Sequence, residues 1–300
     1  SLNMKIIYKI IYTPFINLIL RSLNKTFSFA FPKIKIPPSG VISLKLKGGD
    51  KIKFCTNQTD PVGQNIFWKG VYGYEYVDIF EDIISHCKGF LDIGSNAGLY
   101  SMIAAKKSKD IRVVAFDPTN ASAHYFRNNI AVNNFESKIN FFQLAISDVK
   151  GEISFYEVRN KKYPFLKHNL GGAASAVNKP KEYKEIKVPS TPLEDCLKEN
   201  NLEDLQIDFV KIDAEGVEPQ IIKGMDSVIK NHKPIIVCEI LFNDIEKELE
   251  NEFSKYDYLF FGHKGKKLIQ LDSIIRKEDD GIRNCFFVPR EKLDMMNDYI

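Results

Sequence analysis

The sequence has little of what marks several protein classes. Its five cysteines are widely spaced and form no C-x-x-C pair, which predicts neither a zinc knuckle nor a disulfide framework and fits a reducing compartment. The formal net charge is only +3, from 42 Lys and Arg against 39 Asp and Glu, far below the basic excess of a dedicated nucleic-acid-binding protein. No uninterrupted apolar run is long enough to cross a membrane. We therefore expect a cytoplasmic protein without a nucleic-acid partner.

The residues that are present suffice for a large core, since 44% are hydrophobic and 12% aromatic. From residue 75 onward, apolar runs typical of strands alternate with helical patterns, which predicts a doubly wound α/β sheet. The predicted strands are 89–93, 111–116, 139–146, 207–212, 234–240, a strand near 257–262, and 284–289, with helices such as 98–108 and 121–133 between them. The predicted divisions are an N-terminal arm (1–40, with 1–3 a tag remnant ahead of Met4), a β-hairpin and connecting segment (41–72), and a main domain (73–300) with an inserted hairpin and loop at about 150–192.

The N-terminal arm is apolar but interrupted. In MKIIYKIIYTPFINLILRSLNK, which starts at Met4, Lys9 and Pro14 break the apolar clusters, so the segment is a poor membrane span. We interpret it as a helical arm that packs on the body or on a second subunit of a homodimer. The alternative is peripheral contact with a membrane surface through Lys5, Lys9 and Arg21.

A glycine turn follows the first strand of the main domain, in FLDIGSNAGLY. A dinucleotide fingerprint requires G-x-G-x-x-G, whereas Gly94 here is followed by Asn96 and Gly98. A pyrophosphate at this turn would also be repelled by Asp92. An acid suits a cofactor with positive charge, such as S-adenosylmethionine with its ammonium and sulfonium groups. The turn therefore predicts an S-adenosylmethionine site that includes Asp92, Gly94, Ser95, Asn96 and Gly98.

The next two strand ends extend this predicted site. Asp117 follows the second strand, where an acid can accept hydrogen bonds from both ribose hydroxyls. Ala145 and Asp148 follow the third strand and are placed to meet the adenine edge. The alternative for each acid is structural, with a helix cap at Asp92 and turns at Asp117 and Asp148. Agreement among three successive strand ends favours one binding crevice.

Several motifs resemble the FkbM-type methyltransferases, which are class I S-adenosylmethionine enzymes. The resemblance rests on DIGSNAG, AFDP and above all VKIDAEGVEPQIIKGM, and extends from about Gly73 to about Glu239. It implies a Rossmann-like sheet of seven strands with the last one antiparallel, and O-methyl transfer, often to sugar hydroxyls. It also implies that Glu75 helps to bind the methionine end of the cofactor. Asp117 departs from the family, which more often has Glu at this position.

Acids at the ends of the fourth and fifth strands point to the chemistry. Asp213 ends strand four, Glu215 lies just beyond it, and Glu239 ends strand five. An alcohol with a pKa of about 16 is not deprotonated in advance by a carboxylate. Proton removal is therefore concerted with methyl transfer, or a divalent metal lowers the pKa of the hydroxyl. Asp213, Glu239 and His168 are the candidate catalytic residues and metal ligands, with Asn243 as another third ligand; the alternative is that the acids only bond backbone amides.

The loop NKKYPFLKHNLGGAASAV contains His168 between basic residues and glycine hinges, which favours this histidine as the base. Arg159, Lys161, Lys162 and Lys167 could hold the diphosphate of a nucleotide-sugar, or could form a hydrated lid. Together with this loop, the resemblance to the FkbM-type methyltransferases implies an O-methyltransferase for a nucleotide-activated sugar of a bacterial surface or capsular polysaccharide. The alternatives are a noncatalytic S-adenosylmethionine-binding protein and a methyltransferase for a different small molecule.

Overall fold

The computed structural model describes residues 2–171 and 181–300. One of the two predicted glycine hinges, Gly172, lies outside the described residues together with the rest of 172–180. The described helices are α1 (Leu2–Ile11), α2 (Pro14–Thr26), α3 (Pro61–Lys69), α4 (Val77–Ile84), α5 (Leu99–Lys107), α6 (Asn120–Asn133), α7 (Leu193–Glu199), α8 (Glu218–Lys223), α9 (Asp226–His232) and α10 (Glu246–Phe253). The described strands are β1 (Gly40–Lys45), β2 (Lys51–Thr56), β3 (Gly89–Ile93), β4 (Arg112–Phe116), β5 (Ile139–Phe142), β6 (Ala145–Ile146), β7 (Gly151–Val158), β8 (Tyr183–Thr191), β9 (Phe209–Ile212), β10 (Ile235–Glu239), β11 (Tyr258–Lys264), β12 (Lys267–Leu271) and β13 (Asn284–Pro289).

The main sheet has the strand order β12-β11-β13-β10-β9-β3-β4-β5. Strands β10, β9, β3, β4 and β5 are parallel, and β13 pairs antiparallel with both β10 and β11. The predicted Rossmann-like fold with an antiparallel last strand is therefore confirmed. The sheet has eight strands where seven were predicted, because the chain turns at Gly265 (φ +64°) and returns along β11 as the edge strand β12.

The predicted third strand, 139–146, is wrong as a single element. Its first half remains in the main sheet as β5, whereas β6 pairs with β8 in a separate sheet of order β6-β8-β7. A turn separates the two halves, where the backbone N–H of Leu144 bonds to the carbonyl of Phe142 (3.0 Å). The predicted inserted hairpin is present as the antiparallel pair β7–β8. The small sheet thus begins where β5 ends, at the carboxyl edge of the main sheet.

Hydrophobic side chains cover both faces of the main sheet, which is why β3 and β9 are buried along their whole length. One cluster contains residues of α4 and α5 together with Ile42, Leu44, Ile52 and Phe54 of the β1–β2 hairpin. The other consists mainly of residues from α7 to α10 and the strands beneath them. The predicted hairpin is therefore part of the main core. All five cysteines are buried and free.

The N-terminal arm is helical, as predicted, and packs on the body. Tyr8 and Tyr12 make edge contacts with Tyr163 at ring-centroid distances of 5.6 and 5.5 Å. Arg21, predicted as a membrane contact, is buried and bonded to backbone carbonyls, so that part of the alternative is wrong. Within the described residues, no single helix is long and apolar enough to span a membrane; α1 and α2 meet the length and composition criteria only as a pair bent by 79°.

Candidate active site

A cavity of about 510 Å³ opens at the carboxyl ends of β3, β4 and β9. Its volume is typical of small-molecule sites. The predicted residues in its wall are Gly94, Asn96, Asp117, Ala145, Asp148 and Asp213, joined by Glu215. The structure therefore brings most of the predicted cofactor residues and one predicted catalytic acid to a single crevice.

The turn after β3 is shaped by close backbone approach. Gly94 has a φ of +74°, and a Cβ at this position would lie 1.8 Å from the carbonyl oxygen of Asp213. Only glycine fits, because both the conformation and the space exclude a side chain. Asn96 is also left-handed (φ +50°), and its backbone N–H bonds to Asp117 (3.0 Å). The turn is thus tied to the ends of both β9 and β4.

Three residues of the predicted cofactor turn do not line the cavity. Gly98 starts α5, and a Cβ there would lie 2.6 Å from the Phe126 ring, so its smallness serves packing rather than ligand contact. Ser95 is buried, and its Oγ has no hydrogen-bond partner among the described residues. Asp92 is fully buried beneath the turn, where one oxygen accepts from Ser101 Oγ (2.6 Å).

Asp117 has the predicted structural role in a turn, and its predicted role at the ribose stays a prediction. One oxygen accepts hydrogen bonds from the backbone N–H and hydroxyl of Thr119 (3.0 and 2.8 Å), which forms a turn before α6. The carboxylate also lines the cavity, and its other oxygen accepts from the backbone N–H of Asn96 (3.0 Å). Burial raises the pKa of Asp117, while the bonds from Thr119 and Asn96 oppose this. Asp148 lies on the exposed rim of the same cavity.

An acidic cluster includes Asp213 and Glu215 of the cavity wall. Carboxylate oxygens of Asp213, Glu215 and Glu239 all lie within 4.8 Å of one another, which is compatible with holding a metal ion. Glu215 has a left-handed backbone (φ +55°), an uncommon conformation that recurs at functional sites. The buried Glu218 stabilises this turn by accepting from the backbone N–H groups of Ala214 (2.8 Å) and Gly216 (3.0 Å).

A buried lysine connects the cluster to Asp92. Lys211 Nζ lies 3.6 Å from Asp213 Oδ2, 3.7 Å from Asp92 Oδ1 and 3.2 Å from the Gly94 carbonyl. Burial opposes the charge of Lys211, but Asp213 and Asp92 more than offset it, so its pKa is raised. The sequence interpretation missed Lys211 and Glu218. Two sequence features could have indicated these residues: a lysine inside the buried strand FVKI, and the second glutamate of EGVE.

Glu215 and Glu239 hold protons more tightly than ordinary carboxyls. Burial, together with the charge of Asp213, raises the pKa of Glu215 to about 7 and that of Glu239 to about 8. Protons and a divalent cation would therefore compete for these oxygens near neutral pH.

The metal-free protein, kept with a chelator, is expected to lose stability as pH rises from about 5 to about 8. In this interval the folded chain holds protons on Glu215 and Glu239 that the unfolded chain, with ordinary pKa values near 4.5, releases. The free energy of unfolding must therefore fall as pH passes through the folded pKa values. Urea titrations at three pH values test this, with Glu215→Gln/Glu239→Gln expected to flatten the profile and the exposed Glu199→Gln expected to leave it unchanged. The same slope in the double variant would contradict the assignment.

The structure does not place His168 with the acids, so it is not part of the acidic cluster, and its predicted role as the base stays a prediction. Its ring stacks on His124 at a centroid distance of 4.3 Å, and its carbonyl accepts from Asn57 Nδ2 (2.9 Å). The backbone N–H of Leu170 is bonded to Thr59 Oγ1 (2.9 Å), so the loop is held against the segment after β2.

Two further predicted residues lie outside the cavity wall. Asn243 has a left-handed backbone before α10, where its N–H bonds to Glu246 (3.1 Å), and it is not part of the acidic cluster. Glu75 is exposed and accepts from the Tyr100 hydroxyl (2.7 Å). Its predicted role at the methionine end of the cofactor stays a prediction.

A second cavity, of about 860 Å³, adjoins the first and shares wall residues such as Glu157 and Asn169 with it. Five Lys and Arg side chains line it: Arg127, Arg159, Lys161, Lys167 and Lys184. His124 and His168 also belong to its wall. Lys162 does not, because its ammonium lies over the rings of Tyr8 (4.7 Å) and Tyr163 (5.3 Å). Three of the four predicted basic loop residues therefore face one cavity.

The central part of the chain is similar to known methyltransferases. The family model described as the methyltransferase FkbM domain matches residues 92–264. Methyltransferase sdnD of Sordaria araneosa is 25% identical over 182 residues, which cover 50% of this chain and 68% of that protein. The AMB antimetabolite synthetase AmbE of Pseudomonas aeruginosa is 24% identical over 211 residues, 61% of this chain but only 10% of that protein.

Among solved structures, methyltransferase FkbM from Methylobacillus flagellatus KT is similar with a TM-score of 0.43 and 18% identity, covering 67% of this chain and 43% of that one. The O-methyltransferase from Bacillus cereus, solved in complex with SAH, has a TM-score of 0.39 and 13% identity, covering 70% of this chain and 78% of that one.

Proposed function

The chain belongs to the FkbM methyltransferase family, and from that membership we propose that it transfers the methyl group of S-adenosylmethionine to a hydroxyl of a nucleotide-activated sugar. The observation that carries the proposal is the junction of two cavities, one with acids in its wall and one lined by five basic side chains. The acids can accept a hydrogen bond from a sugar hydroxyl, and the basic side chains can form charge-assisted hydrogen bonds to a diphosphate. A methylated nucleotide-sugar is a precursor for polysaccharide, and we propose a bacterial surface polysaccharide as its destination and the cytoplasm as the place of reaction.

The first cavity fits the donor by the chemistry of its wall. Asp117 places a carboxylate in the wall where ribose hydroxyls would lie, and the segment from Leu144 to Asp148 offers an apolar wall with a polar rim for the adenine. Gly94 leaves room for close backbone approach near Asp213. When bound, S-adenosylmethionine supplies an electrophilic methyl group on a sulfonium. The buried ion pair of Asp92 and Lys211 would support the glycine turn that contacts S-adenosylmethionine.

The acidic cluster would orient the hydroxyl and accept its proton as the methyl group transfers. Each unit by which the pKa of a carboxyl rises makes proton transfer from an alcohol easier by about 1.36 kcal/mol. In their deprotonated form, Glu215 and Glu239 are therefore better proton acceptors than ordinary carboxylates. If a divalent cation binds, Asp213, Glu215 and Glu239 would hold it and the hydroxyl pKa would fall.

An acceptor screen tests the proposal. The protein is incubated with S-adenosylmethionine and UDP-, GDP-, dTDP- or CMP-sugars, and with the matching free sugars and simple phenols, with added magnesium or with a chelator. Formation of S-adenosylhomocysteine and a methyl-sized mass gain report transfer. A nucleotide-sugar should be methylated with the highest kcat/KM. Equal or better methylation of free sugars or phenols would contradict the proposal.

Replacing Arg159 and Lys167 with Ala should raise KM for the nucleotide-sugar at least about 100-fold and leave kcat within about threefold. Each charge-assisted hydrogen bond contributes about 1.5–3 kcal/mol to binding. Both residues line the basic cavity, and neither lies in the wall of the donor cavity. Lys162→Ala is the matched control, because Lys162 is in the same loop but faces aromatic rings. An unchanged KM in the double variant would exclude this cavity as the diphosphate site.

A further inference from the structure

The two faces of α2 are the reverse of those on an ordinary surface helix. Asn17 and Arg21 are 0% and 3% exposed, whereas Phe15 is 72% exposed and Leu18 and Leu23 are about half exposed. A helix on the surface of a globular protein normally buries its apolar face and presents its polar face to water. In the described part of the chain, the apolar face of α2 has no such cover.

Hydrogen bonds fix this reversed orientation. Arg21 Nη1 donates to the carbonyl of Ser39 (2.7 Å) and to Asn17 Oδ1 (2.9 Å), and Nη2 donates to the carbonyl of Val41 (2.7 Å). The backbone N–H of Ser39 in turn donates to Asn17 Oδ1 (2.7 Å). Turning the helix to bury its apolar face would break these bonds and leave a guanidinium without acceptors. The outward apolar face is therefore a consequence of how the helix is anchored to β1.

Exposed apolar side chains continue on both sides of α2. Large contiguous apolar patches are rare on monomers and mark interaction sites. Phe29, just after the helix, is 82% exposed. The other exposed members are Met4, Ile6, Ile7 and Ile10 of α1, Ile19 of α2, and Phe27, Phe31 and Ile34 after α2.

The charge of the same segment indicates the partner. Residues 1–40 contain no Asp or Glu, and the first acid of the chain is Asp50. The basic residues of this segment are Lys5, Lys9, Arg21, Lys25, Lys33 and Lys35. Arg21 is used internally, but Lys5, Lys9, Lys33 and Lys35 are exposed. A second copy of the arm would bring two cationic surfaces together, whereas a bilayer with anionic headgroups matches both the charge and the apolar side chains.

The lengths of the helices exclude a simple span. Helices of 10 and 13 residues reach about 15 and about 20 Å, against a hydrocarbon core of about 30 Å. They are also bent by 79° relative to each other. We propose that the N-terminal arm lies in the interface of a bilayer containing anionic lipids, with its apolar side chains among the acyl chains and its lysines at the headgroups. The arm thereby holds the catalytic domain at a membrane surface, whatever acceptor the enzyme uses.

Vesicle co-sedimentation of the full chain tests this proposal. The protein should bind phosphatidylcholine vesicles that contain phosphatidylglycerol at least tenfold more strongly than pure phosphatidylcholine vesicles, and salt should weaken the binding. Phe15→Gln/Phe29→Gln and Lys33→Glu/Lys35→Glu should each reduce the partition coefficient at least tenfold. Ile275→Gln, at a position 48% exposed, and Lys266→Glu/Lys267→Glu are the matched apolar and charge controls and should bind like the wild type.

Two outcomes of this experiment would overturn the proposal. Either the wild type fails to bind anionic vesicles, or the arm variants bind them as strongly as the wild type. Light scattering that shows a dimer which Phe15→Gln/Phe29→Gln dissociates, without vesicle binding, would assign the surface to a second copy. Circular dichroism and S-adenosylmethionine binding verify that each variant is folded. Because transfer to a dissolved acceptor is assayed separately, failure here is distinguishable from failure of the proposed function.

Discussion

Replacing Asp213 with Asn is expected to lower kcat by about 10²- to 10⁴-fold, the range associated with loss of a general base or proton-accepting network. Asp213 lines the donor cavity, and its carboxylate clusters with those of Glu215 and Glu239. Asn preserves the shape and the backbone bond from Asp213 N–H to Ile93 (3.0 Å), so the Kd for S-adenosylmethionine should change by less than about threefold. Steady-state formation of S-adenosylhomocysteine measures kcat, and calorimetry measures the Kd.

The matched control is Asp110→Asn, a change at an exposed acid in the turn before β4, which should leave both quantities unaltered. A kcat for Asp213→Asn within about threefold of the wild type would remove Asp213 from the reaction. If this variant lost cofactor binding but kept its kcat at saturating cofactor, Asp213 would be assigned to binding of S-adenosylmethionine instead.

Lys211→Met is expected to lower the free energy of unfolding by about 3–5 kcal/mol, because it leaves the fully buried Asp92 without its cation. Methionine retains most of the apolar stem of lysine, so packing in β9 is largely preserved. Asp92→Asn in the same background should recover part of the loss, since an amide needs no counter-charge. Chemical denaturation of Lys211→Met, of Asp92→Asn alone and of the double variant gives the coupling between the two residues.

Lys230→Met is the control for removal of an ion pair at the surface. Lys230 pairs with Asp226 at 2.7 Å, but both side chains are largely exposed, so the expected loss is under about 1 kcal/mol. A similarly small loss in Lys211→Met would mean that Asp92 is protonated or hydrated rather than paired with Lys211.

The parts of the site that follow strand ends could be predicted from the sequence. Gly94, Asp117 and Asp213 are far apart in the chain, but the carboxyl ends of parallel strands meet at one edge of the sheet. Their convergence on one cavity therefore follows from identifying the strands. The antiparallel last strand was implied by the resemblance to the FkbM-type methyltransferases, and the short edge strand β12 carries too weak a signal to be assigned.

The remaining parts depend on contacts that a local pattern does not contain. The position of His168 is set by Asn57, 111 residues away, and no periodicity in the loop indicates that bond. Lys211 interrupts an apolar strand, and its role as the cation beside Asp92 can be recognised only once the two strands are known to be neighbours. Arg21 has the sequence context of a membrane-facing cation, yet carbonyl groups near β1 hold it inside.

The contact between Gly94 and Asp213 links the donor and acceptor ends of the site mechanically. The Asp213 carbonyl occupies the space that a side chain at position 94 would need, and Lys211 bonds the Gly94 carbonyl while lying beside the Asp213 carboxylate. The two turns therefore cannot shift independently, and displacement of one is transmitted to the other.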